Sequence, residues 1–244
     1  MKFQSSVARV VFELAKAEIA LVAAVLGAGI LALSFVVIAD AVLEGTTASL
    51  DDALLLALRA SGDVSDPIGP AWLEEMARDL TALGSSSVLG IVVGASTGYL
   101  LLSARWRAAL LLLACVIGGA LLNDTLKIGF ARPRPEIVAP LAQVFSASFP
   151  SGHAATSAAA YLTLGALLAR TAVHTRQTKL FLVGLAVILT LVIGVTRVYL
   201  GLHYPTDVVA GWCVGAAWAM LCWAVALYLQ RRGEVERPKR SSVR

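Results

Sequence analysis

The sequence predicts an all-α protein, a bundle of six membrane-spanning helices. Hydrophobic residues fill 58% of its 244 positions and charged residues only 15%, whereas a soluble domain carries roughly a quarter charged. Six apolar stretches, near 19–39, 86–104, 108–126, 154–172, 180–196 and 207–229, have about the 17–25 residues a bilayer crossing needs. Short links join them and none keeps a polar face for water, which argues against core helices of a large soluble protein.

Taken in order, residues 1–18 are mildly amphipathic and lead helically into the first span. That span is too long for a signal-peptide core and is followed by Asp40 and Glu44 rather than a small-residue cleavage pattern. The longest link, 44–85, holds the breaker-rich run Ser61-Gly62-Asp63-Val64-Ser65-Asp66-Pro67 between two short helices expected at 50–60 and 70–83. On the second of these, Trp72, Leu73, Met76, Leu80 and Leu83 recur at helical spacing opposite Glu74, Glu75, Arg78 and Asp79. Such a helix suits the headgroup layer, either as a cap or beside a route for lipid.

The spans at 108–126, 154–172 and 207–229 carry small residues: Gly118-Gly119, Ala154-Ala155, Ala158-Ala159-Ala160, and Gly211 with Gly215. In lipid these allow close helix contact and are read as packing. The fifth span, 180–196, is the shortest. Cys115, Cys213 and Cys222 fall inside spans without a CxxC pattern, so neither a disulfide framework nor a zinc site is expected. Residues 230–244 form a basic tail, and one integral-membrane domain accounts for 1–244.

An even span count puts both termini on one side. That side collects Lys2, Arg9, Lys16, Arg105, Arg107, Arg170, Arg176, Lys179, Arg231, Arg232, Arg237, Lys239, Arg240 and Arg244, fourteen of the twenty Lys and Arg residues. By the positive-inside rule it is cytoplasmic. The net charge of +4 arises from these loops and the tail, so nucleic-acid binding is not expected. Lys127, Arg132, Arg134 and Arg197 lie on the opposite, outward side, against the orientation signal, and binding an anion would give them a reason to be there.

Three polar clusters sit at outward span ends. Lys127-Ile-Gly-Phe-Ala-Arg-Pro-Arg134-Pro135 closes the third span, where Pro133 and Pro135 end the helix. Lys127 then occupies the last turn and Arg134 an extended segment able to fold back over it, an ammonium and a guanidinium suited to a multi-oxygen anion. Pro150-Ser151-Gly152-His153 opens the fourth span, where free backbone N–H groups and the helix dipole favour an anion. Between the fifth and sixth spans, Thr196-Arg197 precedes His203 and Asp207. The four-residue offset lets the Asp207 carboxylate fix one ring nitrogen of His203 and leave the other free. Taken singly, each cluster also fits a plainer role: a basic patch on lipid phosphates, a helix start with an interfacial His, an Asp cap.

In this order, Lys-x6-Arg-Pro, Pro-Ser-Gly-His and Arg-x5-His-x3-Asp resemble the signature of the type 2 phosphatidic acid phosphatase (PAP2) superfamily, the lipid phosphate phosphatases. The resemblance covers 127–207 in motif and the whole chain in its six-span layout. Its bacterial members of the phosphatidylglycerophosphate phosphatase B and undecaprenyl diphosphate phosphatase types are similar in size. The third motif usually begins Ser-Arg; here it is Thr196-Arg197, which keeps the hydroxyl. The family spacing selects Arg134 over Arg132 as phosphate ligand, leaving Arg132 and Thr196 as auxiliary contacts.

The resemblance implies that Lys127, Arg134, Arg197, Ser151 and Gly152 bind phosphate. His203 would attack phosphorus, Asp207 orient it, and His153 protonate the leaving oxygen and then activate water. No metal or cofactor is expected, since three cations supply the neutralisation. The implied partners are the bilayer and a lipid monophosphate or diphosphate of the undecaprenyl diphosphate, phosphatidylglycerophosphate or phosphatidic acid class, with lipid A phosphate also open. Two alternatives share the motifs: a lipid-phosphate carrier or flippase without hydrolysis, and a vanadate-type haloperoxidase site. The His203/Asp207 pair argues against the first, and six spans against the second. Oligomeric state and preferred lipid are not legible.

Overall fold

The computed structural model describes residues 2–141, 146–171 and 175–231. Within them run eight helices: α1 (Lys2–Leu43), α2 (Ala48–Leu56), α3 (Ala71–Ala82), α4 (Ser86–Leu102), α5 (Trp106–Phe130), α6 (Gly152–Thr171), α7 (Arg176–Tyr199) and α8 (Pro205–Arg231). A hairpin of β1 (Arg59–Ala60) and antiparallel β2 (Asp63–Pro67) separates α2 from α3. The expected helix over 50–60 therefore stops at Leu56, and the breaker-rich run becomes the second strand, turning at Gly62 with φ +97°. Most of the expected basic tail, 232–244, lies outside the described residues.

Among the described residues, four helices are long and apolar enough to cross a membrane: Glu18–Leu43 of α1, α5, α7 and Pro205–Leu229 of α8. The count rises to five if α3 and α4, bent by 47° at their junction, form one broken span. The expected six are thus not all long apolar helices. The second expected span becomes α4, with only 17 residues, and the fifth, expected to be the shortest, becomes the 24-residue α7.

The fourth expected span, α6, has 20 residues but is not among the four, and its surroundings explain this. It packs against α5, α7 and α8, and Ala154, Ala155, Ala158, Ala159 and Ala160 are all buried. A helix sheathed by protein needs small side chains for close approach, not the long apolar ones that meet lipid. Those sit on α1, where Ile19, Leu26, Ile30, Leu33 and Val37 are each at least 60% exposed.

Glycines set the closest approaches. A Cβ on Gly211 of α8 would lie 2.6 Å from the Ser151 carbonyl oxygen, and one on Gly215 would collide with the Ala155 carbonyl. Gly118 of α5 gives its space to the Trp218 ring, where a Cβ would come within 2.5 Å. These are the small residues read as packing from sequence, and packing is what they do. The Trp218 indole N–H is satisfied by the Cys115 carbonyl at 2.8 Å.

The segment 48–83 lies across one end of the bundle. Leu73 and Ala77 of α3 pack on Tyr199, Leu200 and Leu202, whereas Trp72 and Met76 stay 60% and 41% exposed. Hydrogen bonds pin this layer: Tyr199 Oη donates to the Ile68 carbonyl at 2.9 Å, Tyr161 Oη to the Leu83 carbonyl at 2.8 Å, and Arg59 Nη1 to the Tyr199 carbonyl at 2.9 Å.

Candidate active site

The three polar clusters meet at this same end. Lys127 is buried on the last turn of α5, which stops at Ala131 in the left-handed conformation, φ 46°. Its ammonium donates to the Ala147 carbonyl. Beyond the helix, Arg134 folds back as its spacing suggested: Nε donates to the Ser146 carbonyl at 2.9 Å, and Nη1 lies 3.2 Å from His203 Nε2. Beside them a cavity of about 730 Å³ is lined by Lys127, Ile128, Arg132, Arg134, Ser146 and Ala147. A second, apolar cavity of about 470 Å³ between α4, α6 and α7 has no catalytic group on its walls.

Arg132 turns the other way. Its Nη1 donates to Asp207 Oδ1 at 2.6 Å and to Thr206 Oγ1 at 2.9 Å, and its Nη2 to Asp51 Oδ2 at 2.9 Å. The guanidinium also stacks over the Tyr204 ring, 4.3 Å from its centroid. The two Arg-Pro arginines therefore diverge, one toward the histidine and one into a pair of buried carboxylates.

At the start of α6, Ser151 is fully buried, and its backbone N–H donates to the Asp207 carbonyl at 2.9 Å. A Cβ on Gly152 would sit 3.3 Å from Asn123 Nδ2 and 3.5 Å from Lys127 Cε, so the missing side chain lets α5 and α6 close on each other. His153 is half-buried and faces Arg197, Lys127, Arg134 and His203. Three buried polar atoms here have no protein partner: Ser151 Oγ, Asn123 Oδ1 and Arg197 Nε. Arg197 Nη1 donates to Thr81 Oγ1 of α3 at 3.3 Å. The Thr196 hydroxyl is engaged within its own helix, donating to the Ile193 carbonyl at 2.7 Å.

The third cluster is built by the first turn of α8. Pro205 opens the helix, and Asp207 Oδ2 reaches back to accept from Tyr204 N–H at 2.9 Å, as in a capping box. Asp51 of α2 caps the same helix from outside, accepting from Thr206 N–H at 3.1 Å. His203 is 1% exposed, with Nδ1 3.5 Å from Asp207 Oδ2, long for a hydrogen bond. Ser148 Oγ fills the gap, 3.2 Å from Nδ1 and 2.5 Å from Asp207 Oδ2. Burial pushes the His203 imidazole down to about 4, the neighbouring Asp207 opposing the fall and Arg134 and Arg197 adding to it. At neutral pH the ring is uncharged. Because a guanidinium only donates, the Arg134 contact places a lone pair on Nε2.

The structure thus gathers Lys127, Arg134, Ser151, Gly152, His153, Arg197, His203 and Asp207. It also brings in Asp51, Asn123, Thr81 and Ser148, which sequence reading missed. Asn123 stands one helical turn before Lys127 and Ser148 three residues before Ser151, so position was the available signal. Asp51 and Thr81 gave none. Chemically, a neutral imidazole nitrogen whose lone pair faces Arg134 stands among three cations and a second histidine, which suits attack on an anionic ester once that guanidinium turns to the anion.

Comparison with known proteins gives one direction. Residues 108–231 match the family model described as the PAP2 superfamily. The chain is 33% identical over 185 residues to phosphatidylglycerophosphatase B of Bacillus subtilis (strain 168), covering 75% of this chain and 86% of that one. It is 31% identical over 182 residues to the lipid A 1-phosphatase of Rhizobium etli, covering 64% and 74%. Among solved structures, the first transmembrane PAP2 type phosphatidylglycerolphosphate phosphatase from Bacillus subtilis is similar, with TM-score 0.73 and 29% identity. That match covers 86% of this chain and 98% of that chain.

Proposed function

The chain belongs to the PAP2 superfamily and hydrolyses phosphoric esters, and we propose that its substrate is a lipid monophosphate or diphosphate in the outer leaflet. The candidate lipids are phosphatidylglycerophosphate, undecaprenyl diphosphate and phosphatidic acid. Two similar proteins are named for phosphatidylglycerophosphate and lipid A, which supports a glycerophospholipid or saccharolipid head.

In the proposed reaction Lys127, Arg134, Arg197, Ser151 Oγ and the Gly152 N–H hold the phosphate oxygens. Arg134 leaves the His203 ring for the anion. Nε2 of His203 then attacks phosphorus in line, and the bond to the lipid oxygen breaks. His153 gives that oxygen its proton, which it can hold once a bound dianion counters the burial and the facing cations that lower its proton affinity. Water, deprotonated by His153, next attacks the phosphohistidine, releasing phosphate and restoring both histidines. Asp207 balances the charge that grows on the His203 ring. The loop-charge pattern supports cytoplasmic termini and a site open to the periplasm or exterior.

The observation that carries this reading is the His203 Nε2 lone pair 3.2 Å from a guanidinium, beside buried Ser151 Oγ, Asn123 Oδ1 and Arg197 Nε, which have no protein partner. The test is phosphate release by purified protein across a panel of lipid phosphates, with acid-labile, base-stable phosphoprotein trapped by rapid quench. His203→Ala should abolish both while the protein still elutes as a folded species. Persistent release from that variant would remove His203 as nucleophile. Binding of a lipid phosphate by the unmodified protein without release would favour a carrier.

A further inference from the structure

The sequence suggests a two-member His–Asp pair, but the bonding in the structure is different. Asp207 Oδ1 accepts from Arg132, and Oδ2 accepts from both Tyr204 N–H and Ser148 Oγ–H. An oxygen with two lone-pair sites is then filled. The Nδ1–H of His203, at 3.5 Å from Oδ2, has Ser148 Oγ at 3.2 Å as its nearer acceptor. A hydroxyl has one hydrogen, and here it is directed at the carboxylate, which can only accept. The Ser148 oxygen must therefore receive a proton donor, so Nδ1 carries the hydrogen and Nε2 the lone pair. The Arg134 contact on the opposite side of the ring requires the same tautomer.

Resting on the phosphatase reading, we propose that Ser148 is a positioning residue that fixes the His203 tautomer and relays the Asp207 charge to it. Ser148 is suited to this by how firmly it is held. It is fully buried, its backbone N–H donates to the Arg132 carbonyl at 2.9 Å, and the adjacent Phe149 is stacked with Phe35 at 5.8 Å and meets Phe130 edge-on at 4.9 Å. The charged and titratable groups facing the ring are Asp207 from α8, Arg197 from α7, Arg134 from the segment after α5, and His153 from α6. None of them takes the Nδ1 proton at hydrogen-bond distance.

The test compares Ser148→Ala with Ser148→Thr, which keeps the hydroxyl, and Ser148→Cys, which keeps the volume. Ser148→Ala should lower kcat about 10- to 100-fold with little change in KM, as loss of a partner behind a working imidazole typically does. Ser148→Thr should restore most of it, and Ser148→Cys should stay low. On detergent-solubilised protein without substrate, in an Arg134→Ala background that leaves only the Nδ1 side to fix the ring, nitrogen shifts of labelled His203 should change from a single Nδ1–H tautomer with Ser148 present to a mixture with Ser148→Ala. A single Nδ1–H tautomer in that double variant, or kcat unchanged in Ser148→Ala or Ser148→Cys alone, overturns the proposal. The tautomer reading needs no substrate, so it judges Ser148 even if no lipid phosphate is hydrolysed, an outcome that would count against the phosphatase reading instead.

Discussion

The polar end of the bundle has two halves that treat hydrogen bonding in opposite ways. Around Asp51, Arg132, Thr206 and Asp207, carboxylates and donors answer one another: Arg132 bonds both aspartates, and the Thr206 hydroxyl donates to Asp51 at 2.6 Å. Around Lys127, Asn123, Ser151 and Arg197, buried polar atoms stand without protein partners and cations crowd together. An unpaired buried polar atom costs roughly 1–3 kcal/mol, so the open half is destabilising by itself and makes sense as a place for an anion. The closed half is the frame that holds it.

Substitutions in the two halves should separate stability from turnover. Arg132→Ala strands two buried carboxylates and should destabilise by about 3–5 kcal/mol, read as a lower melting temperature in detergent. Arg197→Ala, in the open half, should instead lower kcat/KM on the order of 10²- to 10³-fold, as loss of one oxyanion donor does. Its melting temperature should hold, because one of several mutually repelling cations is gone. The reverse pattern, with Arg197→Ala unstable and Arg132→Ala harmless, would dissolve the distinction between frame and site.

The pH dependence sharpens it further. His203 is held down to about 4 in the free protein and returns to about 6.5 when unfolded, so the unfolded chain binds the extra proton between those values. Stability from this residue is therefore present above about pH 6.5 and lost as pH falls toward 4. The matching measurement is an NMR titration of His203 without substrate, expected to show no protonation at pH 6. Midpoints near 6.5 would mean that water reaches the ring. The smallest expected effect is none: a chelator should leave turnover intact, because in the proposed reaction Lys127, Arg134 and Arg197 carry the neutralising charge. Loss restored by magnesium would overturn that assignment.

What could be read from sequence was local. Lys127, Arg134, Ser151, His153, Arg197, His203 and Asp207 are each fixed by a span end or a turn within a few residues, and those signals travel with the sequence. The Arg132–Asp51 pair joins residues far apart in the chain, and nothing near Asp51 distinguished it from the other acids of the 44–85 link. The six-span count is not matched by length and hydropathy alone, because the composition of α6 answers to protein neighbours rather than lipid. The hairpin at 59–67 was hidden because its turn residues looked like simple helix breakers. Ser148 was invisible because its value lies in interrupting a pair that seemed complete.

The glycine seam between α6 and α8 has a consequence for the chemistry above it. His153 rides on the first turn of α6 and His203 immediately precedes α8, whose Gly211 and Gly215 lie against the backbone of α6. The Ser151 N–H to Asp207 carbonyl bond stitches the two helix starts together. The separation of the two histidines is thereby gauged by backbone against backbone, with no flexible side chain in the chain of contacts. A bulky ligand can push on the loops around the site while His153 and His203 keep their spacing.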